Sequence, residues 1–357
     1  MKSKLLCTSS SHLKLIGAMT SHPGFDRTTN ASRVAASFGS SIRGRVFLIT
    51  GVSANGIGGA TAKALATESP KLLILTGRSP NRVEPVISEI QSSYPNVPCR
   101  FLKLDLASQS SVRKAAAEVA TYDDNIDTLI NNAGVANLPE RTFSEQGVEL
   151  NFATNHLGHF LFTNLLIPKL AAAAKSSKPG SVRVINLASS AHRYGPVRFS
   201  DINFDKPKDA LPEKEQPNYE LLSQWGPIDK AYIFMAAYAQ SKTANILFTT
   251  SCNQNQRFRG IPSFAVNPGV VNTDVLRHLS PEVRRAAEQR LANLWQTLEQ
   301  GASTTLVAAL DPALKVEDGR SYLSNCQLTE AEAWATDVSA AEKLWAMSEE
   351  MIGESFT

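Results

Sequence analysis

Tyr238 and Lys242 stand four positions apart in the stretch AAYAQSKTANILF, residues 236–248. On a helix, side chains at i and i+4 share a face, so this spacing makes neighbours of a phenol and an ammonium. An unperturbed tyrosine titrates near ~10, and a cation about 4 Å away at an effective dielectric of ~20 attracts the phenolate by roughly 4 kcal/mol. A fraction of that moves the phenol toward the range in which it can give and take a proton. The spacing also arises by chance in a chain with 7 tyrosines, so its meaning depends on the rest of the sequence.

The elements that must position the pair alternate in type. SIRGRVFLITGVSANGIGGATAKALATE is a short apolar run, a glycine-rich turn and an alanine-rich amphipathic segment, which reads as strand, loop and helix. KLLILTGR, RFLKLD, DTLINNAG and SVRVINLASS are further strands, separated by VEPVISEIQSSY, SSVRKAAAEVATY and the long helical run EQGVELNFATNHLGHFLFTNLLIPKLAAAA. The helix of Tyr238 and Lys242 comes next, then PSFAVNPG and a last strand near RSYLS. Strands joined by helices of crossover length form a parallel sheet covered on both faces. The expected fold is therefore a single α/β domain with a doubly wound seven-stranded parallel sheet. Two segments break the rhythm: residues 191–230, rich in Pro and charge but dotted with Phe204, Tyr219, Leu222 and Trp225, and the helical stretch 275–300. Both adjoin chemistry-bearing segments and are read as substrate walls or a lid.

The loop Thr50-Gly51-Val52-Ser53-Ala54-Asn55-Gly56-Ile57-Gly58 sits where the first strand hands over to a helix. Glycines there allow positive φ and close backbone approach, and the helix N-terminus offers N–H groups and partial positive charge to a pyrophosphate. Twenty residues after Gly58 the second strand ends in Thr76-Gly77-Arg78. A protein that binds NAD usually places an acid there for the ribose hydroxyls, whereas Arg78, with Arg82 close behind, suits a 2′-phosphate. The predicted cofactor is accordingly NADP(H).

Composition excludes several classes. A net charge of +3 with 19% charged residues and no basic block does not suggest a nucleic-acid surface. Cys7, Cys99, Cys252 and Cys326 are scattered without a C-x-x-C, which fits a reducing compartment without disulfides. His156 and His159 could hold a metal only with a third ligand, and none is evident, so no metal is predicted. No apolar run reaches the ~18 residues of a membrane helix. Residues 1–43 precede the domain, 44–357, and are read as a flexible extension of a cytoplasmic protein. Residues 1–24 carry Lys2, Lys4 and Lys14 and no acid, so an organellar transit peptide is the alternative.

These motifs resemble a known family. TG-x-x-x-x-GIG, Leu104-Asp105-Leu106, Asn131-Asn132-Ala133-Gly134, Asn155 in NHLGHF, Ser189 in INLAS, Tyr238-x-x-x-Lys242 and Asn267-Pro268-Gly269 stand in the order found in short-chain dehydrogenase/reductases. Residues 44–325 carry the resemblance, closest to the retinol-dehydrogenase-like branch. It extends loosely to WW-domain oxidoreductases, but the first 44 residues contain no Trp, so no WW module is expected in them. The glycine loop is one residue longer than the commonest TG-x-x-x-G-x-G form.

The resemblance implies a Rossmann fold and a set of roles. Tyr238 would be the general acid or base at a carbonyl or carbinol oxygen, with Ser189 hydrogen-bonded to the same oxygen. Lys242 would lower the Tyr238 pKa and hold the nicotinamide ribose, and Asn155 would support a water leading protons to Lys242. Gly51, Ser53, Asn55 and Ile57 would line the pyrophosphate and ribose, Asp105 and Leu106 the adenine. Asn132, Ala133 and Gly134 would close the cofactor floor, and Thr273 would meet the carboxamide. Homodimerisation through the helices of Asn155 and Tyr238 is usual in that family.

The function expected is an NADP(H)-dependent oxidoreductase acting on the carbonyl or alcohol of a small hydrophobic molecule. A retinoid-type dehydrogenase and a tailoring reductase of specialised metabolism both fit. The alternatives are reduction of an activated C=C bond on the same scaffold and a non-catalytic NADPH-binding regulator. The intact Ser189, Tyr238, Lys242 and Asn155 set argues against the regulator.

Overall fold

The computed structural model describes residues 20–273, 281–316 and 320–356. Cys7, most of the predicted transit segment and residues 274–280 of the second insertion lie outside the described residues.

In β1 (Val46–Ile49) all four side chains are buried, Val46 and Leu48 in one hydrophobic core and Phe47 and Ile49 in another. Successive side chains of a strand point to opposite faces, so a wholly apolar strand needs cover on both. β1 lies within a sheet formed with β2 (Leu72–Gly77), β3 (Cys99–Lys103), β4 (Thr128–Asn131), β5 (Arg183–Leu187) and β6 (Ser263–Asn267). β7 (Val270–Val271) and β8 (Trp295–Gln296) pair separately, while β9 (Tyr322–Ser324) and β10 (Gln327–Leu328) extend the main sheet. The order is β10-β9-β6-β5-β4-β1-β2-β3. The seven expected strands are parallel, and an eighth, β10, adds an antiparallel edge to β9. It arises because Asn325 and Cys326, at φ 51° and 65°, make a two-residue hairpin turn with both central residues left-handed.

The helices are α1 (Ala31–Ser37), α2 (Ile57–Ala66), α3 (Pro80–Ser93), α4 (Gln109–Ala120) and α5 (Leu150–Phe152), which runs through a π-helical turn, Ala153–Leu157, into α6 (Gly158–Ser176). They continue as α7 (Tyr219–Ser223), α8 (Phe234–Gln254), α9 (Pro281–Arg290), α10 (Leu298–Leu310), α11 (Ala333–Thr336) and α12 (Val338–Ile352). The first core packs α4, α6, α8 and α12 on the sheet, and the second packs α1, α2, α3 and α10. The long helix starts at Leu150, later than the pattern predicts. Gly147 adopts φ 72°, and the Glu149 carboxylate caps the helix by accepting the Phe152 N–H at 2.9 Å. The span 150–176 is long and apolar enough to cross a membrane, but most of it is buried inside the fold.

Two regions depart from the sequence reading. Residues 20–43, assigned to the flexible extension, are packed on α10 and α2, with Ala31, Val34, Ala35 and Phe38 buried at helical spacing. The Ser21 N–H and hydroxyl donate to Asp311 at 2.6 and 2.5 Å, and the Gln327 amide donates to the carbonyls of His22 and Phe25 at 3.1 and 2.7 Å. At the other end α12 lies along α6 and α8, where Trp345 meets Phe160, Phe248 and Phe258 with ring centroids 4.8, 6.2 and 6.3 Å away. The two insertions pack together in a third cluster of Phe204, Leu222, Trp225 and Ala287. Arg290 lies 4.1 Å over the Trp225 ring and donates to the Gln224 carbonyl at 2.6 Å.

Candidate functional site

The first β–α connection brings a backbone cradle to the carboxyl ends of the strands. Gly51 has φ 70°, and a Cβ there would stand 2.6 Å from Cα and Cβ of Ala133. At Gly58 a Cβ would meet the Asn132 amide at 2.6 Å, and at Gly59 the Ser53 carbonyl at 2.2 Å. Glycine is thus what lets this loop lie against the Asn132–Gly134 segment. α2 starts after Gly56, which has no side chain to cap it, and a helix N-terminus of this kind presents N–H groups that suit an anion.

A groove of about 280 Å³ runs from this loop across the switch point between β1 and β4. Gly51, Ser53, Asn55, Ile57, Asp105, Leu106, Asn132, Ala133, Gly134 and Thr273 line it, with Arg78 and Arg82 at the β2 side and Tyr238 and Lys242 at the β5 side. Ser189 and Asn155 do not line it themselves: Ser189 follows Ala188 of the wall, and Asn155 holds Val135 of the wall. The lining is compatible with a dinucleotide whose anionic groups meet backbone N–H groups and arginines.

α8 carries Tyr238 and Lys242 on one face, with the Lys242 Nζ 5.6 Å from the Tyr238 ring centroid. Nζ donates to the Leu187 carbonyl at 2.7 Å, and burial holds the ammonium down to about 7. Tyr238 keeps partial exposure toward the groove, yet the protein packed around it pushes its phenol above the ordinary value, with the Ser189 hydroxyl pulling the other way. This corrects the expectation drawn from the four-residue spacing. In the folded chain burial outweighs attraction, Lys242 gives one of its three N–H groups to Leu187, and the group that eases Tyr238 ionisation is Ser189.

Ser189 ends the β5 connection and caps the short turn Ser190–Tyr194, its Oγ accepting the Ala191 N–H at 3.1 Å. With Oγ accepting there, the hydroxyl proton is left for a second oxygen. Asn267 fastens this turn to the next loop, its Oδ1 accepting from Ser190 N–H at 3.1 Å and Gly269 N–H at 3.2 Å.

Asn155 lies in the π-helical turn, a distortion common at functional sites. Its Oδ1 accepts the Val135 N–H at 2.8 Å, and its Nδ2 donates to the Val135 carbonyl and to Ser241 Oγ, both at 2.9 Å. The side chain therefore ties the segment after Asn132–Gly134 to α8. A Cβ on Gly134 would lie 3.3 Å from Asn155 Oδ1 and 3.7 Å from Lys242 Nζ, so the floor passes between them.

The sequence reading missed the buried chain behind the floor. Thr50 Oγ1 accepts the N–H groups of Asn132 and Ala133 at 2.9 and 3.0 Å and contacts His159 Nε2 at 2.8 Å. His159 Nδ1 meets the Asn155 carbonyl at 3.0 Å, so Nδ1 carries the proton and Nε2 accepts from Thr50. The available signal was the four-residue spacing of Asn155 and His159 in NHLGHF. The two histidines weighed as metal ligands go to separate partners, since His156 Nε2 pairs with Ser348 Oγ at 2.7 Å.

The short chain dehydrogenase family profile matches residues 45–201. The chain is 42% identical to oxidoreductase fscI of Fusarium equiseti over 246 residues, 69% of this chain and 94% of that one. It is 34% identical to retinol dehydrogenase 12 of Bos taurus over 312 residues, 87% of each. The solved structure of an uncharacterized protein from Mycobacterium paratuberculosis matches with a TM-score of 0.60 at 26% identity, covering 88% of this chain and 96% of that one.

Proposed function

The chain belongs to the short-chain dehydrogenase family and is an oxidoreductase, and from that premise we propose that it reduces or forms a carbonyl on a small hydrophobic molecule with NADP(H). The observation that carries this reading is Tyr238, with the Ser189 hydroxyl acting on its phenol and Lys242 5.6 Å from its ring, on a groove that also reaches Arg78 and Arg82.

Arg78 and Arg82 would hold the 2′-phosphate, the glycine loop and the α2 N-terminus the pyrophosphate, and Asp105 and Leu106 the adenine. Asn132, Ala133 and Gly134 would form the floor under the nicotinamide ribose, with Lys242 on its hydroxyls and Thr273 at the carboxamide. The cofactor supplies the hydride. At the substrate oxygen, Ser189 Oγ donates a hydrogen bond and Tyr238 Oη delivers the proton, so both donors face the charge that develops there. Tyr238 enters reduction protonated, and the Ser189 hydroxyl, which opposes the rise that burial imposes on the phenol, eases release of that proton. Asn155 keeps the floor and α8 in register and would support a water leading protons to Lys242.

The aromatic cluster joining the two insertions supports a hydrophobic substrate. The likeness to oxidoreductase fscI supports a tailoring step in specialised metabolism, and that to retinol dehydrogenase 12 supports a retinoid-like alcohol or aldehyde. The test is cofactor oxidation, followed by absorbance with NADPH and NADH in parallel, across aldehydes, ketones and activated alkenes. NADPH-dependent turnover of carbonyls that Tyr238→Phe abolishes is the expected result. Equal use of NADH would sink the cofactor assignment, and turnover confined to alkenes would sink the carbonyl one.

A further inference from the structure

His192 lies three residues after Ser189 and is fully buried. Its backbone N–H donates to the Ser189 carbonyl at 3.2 Å, and its ring Nδ1 reaches the same oxygen at 2.7 Å. The other ring nitrogen, Nε2, accepts the Glu332 N–H at 3.2 Å. A carbonyl can only accept and an N–H can only donate, so the two neighbours fix one neutral tautomer, with the proton on Nδ1. The His192 carbonyl in turn accepts from Trp334 Nε1 at 3.1 Å, and Thr243 Oγ1 of α8, whose shorter bond at 2.7 Å goes to the Gly195 carbonyl, lies 3.3 Å from it. Tyr322 of β9 closes the ring in edge-on at 5.1 Å.

We propose that His192 is a positioning residue that sets the backbone of Ser189, and through it the catalytic hydroxyl, against the segment leading into α11 and against the Tyr238 helix. The inference rests on the role given to Ser189 above. A residue needed only to fill space would have no use for both ring nitrogens, and a residue needed only to anchor the α11 segment would have no use for Nδ1. The charged neighbours are Arg193, which opposes a second proton, and Glu332, which favours one. Burial outweighs both and keeps the imidazole below its ordinary value, so the tautomer persists at neutral pH.

The two bonds can be separated. An Asn amide falls near the Nδ1 position and a Gln amide near the Nε2 position, so His192→Asn retains a donor for Ser189 and His192→Gln retains an acceptor for Glu332. Both are measured for kcat and KM with NADPH and the best carbonyl substrate, for NADPH affinity and for thermal melting. The expected result is a kcat about tenfold or more lower in His192→Gln than in His192→Asn, at similar NADPH affinity, because a small misplacement of a reacting group is costly. Equal kcat in the two variants, or losses that follow melting temperature alone, overturns the proposal. A wild type that turns over no carbonyl counts against the function proposed above, and the positioning is then decided by crystal structures. Ser189 Oγ displaced from Tyr238 in His192→Gln and retained in His192→Asn supports it; Ser189 unmoved in His192→Gln refutes it.

Discussion

The Lys242 ammonium donates to the carbonyl oxygen of Leu187, two residues before Ser189, at 2.7 Å. One side chain of the tyrosine helix thus pins the strand end from which the serine projects. Lys242→Met keeps an unbranched stem and removes the donor. It should lower kcat by about a hundredfold and also weaken NADPH binding, because positioning of the serine and the ribose contact are lost together. A rise in KM for NADPH alone, at full kcat, would restrict Lys242 to binding.

Tyr238→Phe removes one hydroxyl and little volume. Turnover should fall by ~10²–10⁴-fold while NADPH affinity, read by fluorescence titration, stays close to wild type. Near-normal turnover would move the proton-transfer role elsewhere.

Arg78→Ala should weaken NADPH by roughly ten- to a hundredfold, the equivalent of ~1.5–3 kcal/mol for a charge-assisted contact, and leave NADH affinity nearly unchanged. Parallel titrations with the two cofactors measure this. A parallel loss for both would mean that Arg78 does not read the 2′-phosphate.

Stability should fall on mild acidification. Burial, first of all, holds His156 at about 3 and His159 at about 4, against an ordinary value of 6.5. Below pH 6.5 the unfolded chain takes up protons that the folded chain refuses. Stability is therefore complete above 6.5 and is lost as pH drops toward 4, by up to ~1.4 kcal/mol per pH unit for each histidine. Denaturant midpoints at pH 7, 6 and 5 should decline in order, and a flat series would contradict the buried neutral assignment.

α12 occupies the outer side of α6 and α8, the helices through which homodimerisation is expected from the family resemblance. A partner seated there would have to displace Trp345 from its aromatic neighbours. The protein should sediment as a monomer, and Trp345→Ala should cost stability, by less than the ~3–5 kcal/mol of a fully buried aromatic because Trp345 is partly buried. A stable dimer in which α6 and α8 cross-link between protomers would reject this.

The fold was readable because its strands are short apolar runs and its glycines fall where strands meet helices. The groove residues were readable for a related reason: motifs at strand ends converge on one edge of a parallel sheet whatever the helices between them do. What the pattern could not convey was energetic balance and long-range partnership. The Tyr238–Lys242 spacing is real, but how deeply the pair is buried, and that Lys242 prefers a carbonyl, depend on β5. Residues 20–43 look like a tail because their partners, Asp311 and Gln327, are far along the chain. The bonds that join Thr50 to His159, and those of His192, went unread because a buried hydrogen bond between distant residues leaves no period in the sequence.

The bond between Thr20 and Gln327 spans 307 residues. At roughly 5–20 residues per second, ribosomal synthesis leaves the first of these without its partner for about 15–60 s. During that interval the apolar face of α1 cannot yet dock on α10, and the β9–β10 hairpin does not exist. Among the described residues, the stretch from Thr20 into α1 thus waits longest for its partner, and it is one that a nascent-chain chaperone would find exposed throughout that interval.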